Sequence, residues 1–150
     1  MATSDELRKV IAASAATFRE SLESFKGDWE TIPSGDAEGG DAEEQWTARE
    51  IAEHTIKSVG FFAGLVADTM QARPAEKTGG DLLTVADAIT SHDEALAILN
   101  RVFKYVEDRD LIKRVDIADH HTFEATIEGT MDRAGTHLLE HAETLSAITS

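Results

Sequence analysis

At 150 residues the chain is about one domain long, which excludes separate cofactor and substrate lobes. Its 14 Lys+Arg against 29 Asp+Glu give a formal charge of -15, a field that repels a phosphate backbone and disfavours nucleic acid as a partner. Cysteine is absent, so disulfides, thiolate-ligated zinc, iron–sulfur clusters and a cysteine nucleophile are excluded, and any thiol chemistry needs an external thiol.

The opening Met1 to Glu6 shows neither a basic nor an apolar signal region, so no secretory signal is expected. The longest apolar stretch, residues 59–67, is about half of what a membrane span requires. A cytoplasmic protein with a small-molecule substrate and no membrane partner is the expectation.

Apolar residues recur at steps of three and four through Leu7, Val10/Ile11, Ser14, Phe18, Leu22 and Phe25, which predicts a first helix with Thr3 and Glu6 as a capping box and Gly27 as its stop. From residue 28 to 45 the periodicity is lost. Pro33, Gly35, Gly39 and Gly40 fall here with seven carboxylates and no base, the pattern of a long acidic loop. Thr47-Ala48-Arg49-Glu50 then forms a second capping box, with Trp46 and Ile51 at the positions of a hydrophobic staple. This second helix is predicted to run to about Arg73, before Pro74. A third starts near Thr84 and carries Val85, Ala88/Ile89, His92, Leu96, Leu99, Val102/Phe103 and Val106 on one stripe. Residues 111–117 alternate only partially, as an extended pairing or a loop would. A fourth helix is predicted from near Thr122, with Phe123, Ile127, Met131, Ala134, His137/Leu138, His141, Leu145 and Ile148 on its stripe. Four such helices pack most naturally as an all-α four-helix bundle.

Histidines supply the chemistry. His137 and His141 lie four residues apart, so their imidazoles share one helix face with Cβ atoms ~6 Å apart, a spacing that lets both reach one metal ion. An inward histidine is also at home as a hydrogen-bonded core residue. His54 lies about ~10 Å from the start of its helix, and the other two lie a similar distance from the end of theirs. All three reach one height if the second and fourth helices are antiparallel. A simple up-down-up-down order makes those helices parallel, but residues 71–83 are long enough to act as a crossover that reverses the relation. In that arrangement His92 reaches the same level and is a candidate to sit in or beside the site. His120 and His121 fall at the opposite end, as exposed loop residues.

Rival motifs fit less well. Di-iron bundles need Glu-x-x-His pairs, whereas Glu50 and His54 are four apart and neither His137 nor His141 has a glutamate three residues before it. The string from His137 to His141 fits His-x-x-Glu-His, but too little chain follows to supply that class's downstream acidic ligand. Glu140 is then a general-base candidate or a solvated surface acid. Thr55 and Ser58 either orient a ligand or bond their own helix backbone. Gly135 either opens space beside the site or permits close helix packing. Met70, Phe61, Phe62 and Val66 spread apolar surface around the second helix, as core or as a dimer patch.

The segment Trp46-Thr47-Ala48-Arg49-Glu50-Ile51-Ala52-Glu53-His54 resembles the tryptophan-to-histidine opening of the second helix in DinB/YfiT-like proteins. His137-Leu138-Leu139-Glu140-His141 resembles their closing His-x3-His. The resemblance extends over essentially the whole chain, through its long first loop, crossover and final helix. It implies a down-up-up-down four-helix bundle, a homodimer, and three metal ligands matched here by His54, His137 and His141. The implied cofactor is a divalent ion such as zinc or nickel. Characterised members include transferases and isomerases that use a low-molecular-weight thiol (bacillithiol or mycothiol) and some hydrolase-like proteins. The resulting expectation is a metal-dependent thiol S-transferase, isomerase or hydrolase with no assigned catalytic residue. The alternatives are a non-catalytic metal-binding stress or homo-oligomeric bundle, and a small-molecule-binding bundle without metal.

Overall fold

A computed structural model describes residues 2–30, 46–118 and 122–149. Among these the chain forms four long helices, α1 (Ser4–Glu23), α2 (Ala48–Thr69), α3 (Val85–Phe103) and α4 (Ile127–Thr149), with a short 3-10 turn at Asp108–Asp110. The expected all-α four-helix bundle is what the chain builds. His120, His121 and most of the acidic stretch lie outside the described residues.

Local chemistry sets the helix starts. Thr3 Oγ1 accepts from the Glu6 N–H at 3.1 Å. Thr47 and Glu50 close a reciprocal capping box, as do Thr84 and Asp87. The ends differ from the sequence expectation in several places: α1 stops at Glu23, ahead of Gly27, and α3 at Phe103, ahead of Val106. α2 stops at Thr69 rather than near Arg73, because Gln71 turns into the left-handed region (φ 54°) and the Ala72 N–H folds back to the Ala67 carbonyl at 2.9 Å.

α4 begins at Ile127, not Thr122. The preceding residues pair with the partly alternating stretch through an isolated antiparallel bridge, Arg114 to Thr126. Val115 donates to the Ala125 carbonyl at 3.1 Å, and the first helical N–H groups, of Ile127 and Glu128, donate to Lys113 and Leu111 at 2.9 and 3.0 Å. Thr126 Oγ1 takes the Gly129 N–H at 3.0 Å, so a cross-chain cap and a threonine cap together satisfy the first turn.

α1 packs against α4 and α3, and α2 against α3 and α4, so α1 and α2 occupy one diagonal and α3 and α4 the other. Specific contacts give the directions. Gly135 lies beside Val10 and Ile11, and Gly27 beside Ile148, so α1 and α4 run together. Arg8 reaches the Phe103 and Val106 carbonyls, while Arg19 pairs with Asp93, so α3 runs against α1. His54 meets His141, and Thr69 Oγ1 donates to the Arg114 carbonyl, so α4 runs against α2. The stripe residues Ile11, Phe18, Leu22, Ile51, Ile56, Leu99, Phe103, Met131, Leu138 and Leu145 are fully buried between the helices.

Residues 70–84 carry the chain back along the bundle, and the Thr78 side chain pins them to α2. Thr78 Oγ1 accepts from the Gly60 N–H at 3.0 Å and donates to the Ile56 carbonyl at 2.7 Å. Those two backbone groups are i and i−4 in the helix ladder, so the hydroxyl is inserted between natural partners. A second anchor comes from Trp29, which the sequence reading had placed in the acidic loop. Its indole is buried, its Nε1–H donates to the Leu82 carbonyl at 2.8 Å, and its own carbonyl accepts from Arg49 N at 3.0 Å.

Candidate metal centre

The antiparallel α2–α4 pair brings His54, His137 and His141 to one height. The Nε2 atom of His137 lies 3.1 Å from Nε2 of His54 and 3.1 Å from Nε2 of His141. One ligand nitrogen from each of the three falls within 4.8 Å of the other two. Ring centroids are 4.9 Å apart for His54–His137, 5.2 Å for His54–His141 and 4.4 Å for His137–His141. His137 and His141 are buried, and His54 is half-buried at the edge facing solvent.

Two of the rings are held from outside. Trp46 stands edge-on against His54 with centroids 4.9 Å apart, and Phe62 does the same to His137 at 5.8 Å. Burial, followed by the neighbouring imidazoles of His141 and His54, pushes the His137 pKa down to about 3. His137 is therefore a neutral imidazole at physiological pH, the form that ligates metal.

The geometry separates a metal site from a hydrogen-bonded histidine cluster. A neutral ring nitrogen carries either one hydrogen or one lone pair. His137 Nε2 can make one of its two 3.1 Å contacts as a hydrogen bond, never both. A cation among the three nitrogens satisfies all of them. Bonds of ~2.0–2.1 Å at tetrahedral angles put ligand nitrogens ~3.3 Å apart, close to what these pairs already have. The three residues are placed to hold one metal ion.

The remaining candidates fall elsewhere. His92 has the right height but lies on the α1–α3 seam, 5.5 Å from the Phe18 ring, with Nδ1 3.2 Å from Asp93 Oδ1. It is outside the three-nitrogen cluster. Thr55 Oγ1 donates to the Ile51 carbonyl at 2.7 Å and Ser58 Oγ to the His54 carbonyl at 2.8 Å, so both hydroxyls serve their own helix. Glu140 is exposed and takes a two-pronged ion pair from Arg133 at 2.8 and 3.1 Å, which holds its carboxyl below the usual range. Gly135 touches Val10 and Ile11 and serves helix packing. Phe62 and Val66 are core, Met70 is half-buried, and only Phe61 of that group is exposed.

Sequence reasoning passed over Glu53. Its carboxylate accepts from the Leu82 N–H at 3.0 Å and pairs with Arg49 at 3.2 Å, fastening the crossover beside His54. It also passed over Lys57 and Arg133. A signal was present for both, since Lys57 follows His54 by three residues and Arg133 precedes His137 by four. Among the described residues no helix is long and apolar enough to cross a membrane. No protein-family model, no curated protein and no solved structure matches this chain.

Proposed function

We propose that this chain is a divalent-metal-dependent enzyme of the DinB/YfiT-like kind, with His54, His137 and His141 as its ligands and a thiol-transfer, isomerisation or hydrolytic reaction. The observation that carries the reading is the double contact at His137 Nε2, which hydrogen bonding leaves half-satisfied and one cation satisfies completely. A dication on three neutral imidazoles keeps its charge and an open position, and so supplies Lewis-acid activation of water or of an external thiol. Zinc and nickel both suit imidazole donors. The chain's own residues then have distinct tasks. Trp46 and Phe62 fix two imidazole rings edge-on, and the half-buried His54 leaves the solvent side of the cluster open to a small molecule. The two motifs that resemble the family support the same assignment.

A second reading, a non-catalytic metal-binding bundle, is favoured by one specific observation. Among the described residues, Glu140 is engaged by Arg133, and the Thr55 and Ser58 hydroxyls by backbone carbonyls, so none of these three is free for proton transfer. The experiment is metal content per chain after zinc or nickel incubation, in the native protein and in the variant with His54, His137 and His141 all changed to alanine. One ion per native chain and none in the variant is expected. Sub-stoichiometric metal in the native protein removes the proposal. Turnover of thiol conjugates or simple esters by the loaded protein selects the enzyme reading, and inactivity across both panels selects the second.

A further inference from the structure

A cleft of about 430 Å³ opens beside the three histidines, with His54 and His137 at one end. Its walls include Lys57, Phe61, Phe62, Phe123 and Arg133. The order of these groups along the helix axes is regular. Lys57 lies three residues beyond His54 on α2, and Arg133 lies four before His137 on α4. Because the two helices are antiparallel, both cations sit about one turn, ~5 Å, from the histidines in the same direction. Phe61 and Phe62 follow about two turns out, ~11 Å from His54 along the axis. Phe62 stacks edge-on with Phe61 at 5.6 Å and with Phe123 at 5.8 Å, making an aromatic far wall.

The charges here run against the composition. Acids outnumber bases two to one in the chain, 29 to 14, yet among the described residues lining this cleft the charged side chains, Lys57 and Arg133, are both cations. Arg133 is neutralised by its forked pair with Glu140. Lys57 is exposed, and among the described residues it makes no ion pair. Phe61 keeps 42% of its surface open although its neighbour Phe62 keeps 5%. An unpaired ammonium and a partly exposed phenyl ring therefore share one concavity.

We propose that this cleft binds an organic carboxylate with an apolar or aromatic body, its carboxylate on Lys57 and its body against Phe61 and Phe123. A cationic ligand meets only like charge there, and a phosphate ester would call for more than the one cation left free. The proposal names a substrate class for the three-histidine site. It rests on the metal reading only for what happens at the carboxylate end, which lies nearer His54 and His137.

The test uses the 150-residue chain after chelator treatment, at about pH 8. Backbone amide shifts are followed while adding 3-phenylpropanoate, 3-phenylpropan-1-ol or propanoate. The phenyl acid is expected to bind about tenfold more tightly than either the alcohol or propanoate, with shifts centred on α2 beyond His54 and on α4 before His137. Lys57→Gln should bring the acid down to the alcohol, and Phe61→Ala should bring it down to propanoate. Both positions are exposed, and the same spectra report whether each variant stays folded. Acid and alcohol binding within about twofold of each other, or an acid preference that survives Lys57→Gln, overturns the proposal. Metal is absent throughout, so this result is independent of whether the histidines bind an ion.

Discussion

Replacing Gly60 by alanine tests how the crossover is held on α2, one and a half turns beyond His54. Two effects oppose each other. Alanine in a helix interior is worth about 1 kcal/mol over glycine. A Cβ at this position, however, runs into Thr78 Oγ1, with Thr78 Cγ2 and Cβ only 3.1 and 3.2 Å away. Thr78 must then leave the ladder and give up its bonds to Gly60 N and Ile56 O, a loss with overpacking of about 2 kcal/mol. The net expectation is destabilisation by about 1 kcal/mol, or about 0.5 M in the urea midpoint for a slope of about 2 kcal/mol/M. Gly64 supplies the control, because a Cβ there meets nothing within 4 Å. Gly64→Ala should stabilise by about 1 kcal/mol, leaving a gap of about 2 kcal/mol between two alanines one turn apart. Thr78→Ala removes the hydroxyl and Cγ2, and in that background Gly60→Ala should change sign and stabilise. Urea unfolding of the four-member cycle and the control decides the matter. If Gly60→Ala stabilises the native background as much as Gly64→Ala does, the inserted hydroxyl is not a structural clamp.

Gly129→Ala should also destabilise, by about 2 kcal/mol net of its propensity gain, because its Cβ would run into the Glu124 carbonyl, with the carbonyl carbon 2.9 Å away, in the backbone that caps α4. A raised melting temperature in this variant would contradict the cap. A pH series on metal-free protein probes the buried imidazoles. Burial lowers the His92 pKa, and burial with two imidazole neighbours lowers that of His137 to about 3, so both stay neutral in the fold while the unfolded chain takes up protons below about pH 6.5. Their stabilisation is complete above about pH 6.5 and is lost as pH falls towards the folded values, by up to about 1.4 kcal/mol per pH unit for each. The urea midpoint should drop between about pH 6.5 and 5.5, and His92→Asn should flatten that drop by its share. Equal slopes in native and variant protein would remove His92 from the account.

Where the sequence was informative, the periodicity fixed an axis and a stripe. Stripe residues such as Phe18, Ile51, Leu99 and Leu138 could be assigned inward because helical spacing specifies one face. The His54, His137 and His141 cluster was legible for a related reason, since residue counts measure height along an axis. Height does not give azimuth, and His92 shows the difference. It occupies a comparable height but faces Phe18 of α1, because α3 and α4 lie across the diagonal. Loop lengths do not specify the order of helices around a bundle. The start of α4 was misplaced because periodicity through Phe123 and Ile127 looks continuous, whereas the Arg114–Thr126 bridge claims the backbone groups before Ile127. Trp29 does lie outside the helices, in a turn, but its acidic neighbours gave no sign that its indole is buried with the Leu82 carbonyl as partner.

Net charge describes the surface at long range, but the neighbourhood of the histidines follows from which charges are already paired. Carboxylates on the Trp46 side of His54 are largely engaged. Glu50 closes the α2 capping box, and Glu53 holds both Arg49 and the Leu82 amide. On the opposite side, Glu140 is bound to Arg133. Each engaged carboxylate is anchored to a group of fixed charge or dipole and presents less negative field to the cleft than its formal charge suggests. Lys57 lines the cavities on both sides of His54 and, among the described residues, meets none of these acids in an ion pair. A chain with a formal charge of -15 can thus offer an anion a local welcome, provided the anion is small enough to sit within one helical turn of that lysine. A larger anion that projects beyond the cleft meets the acidic surface instead, so the same arrangement that selects for charge also selects for size.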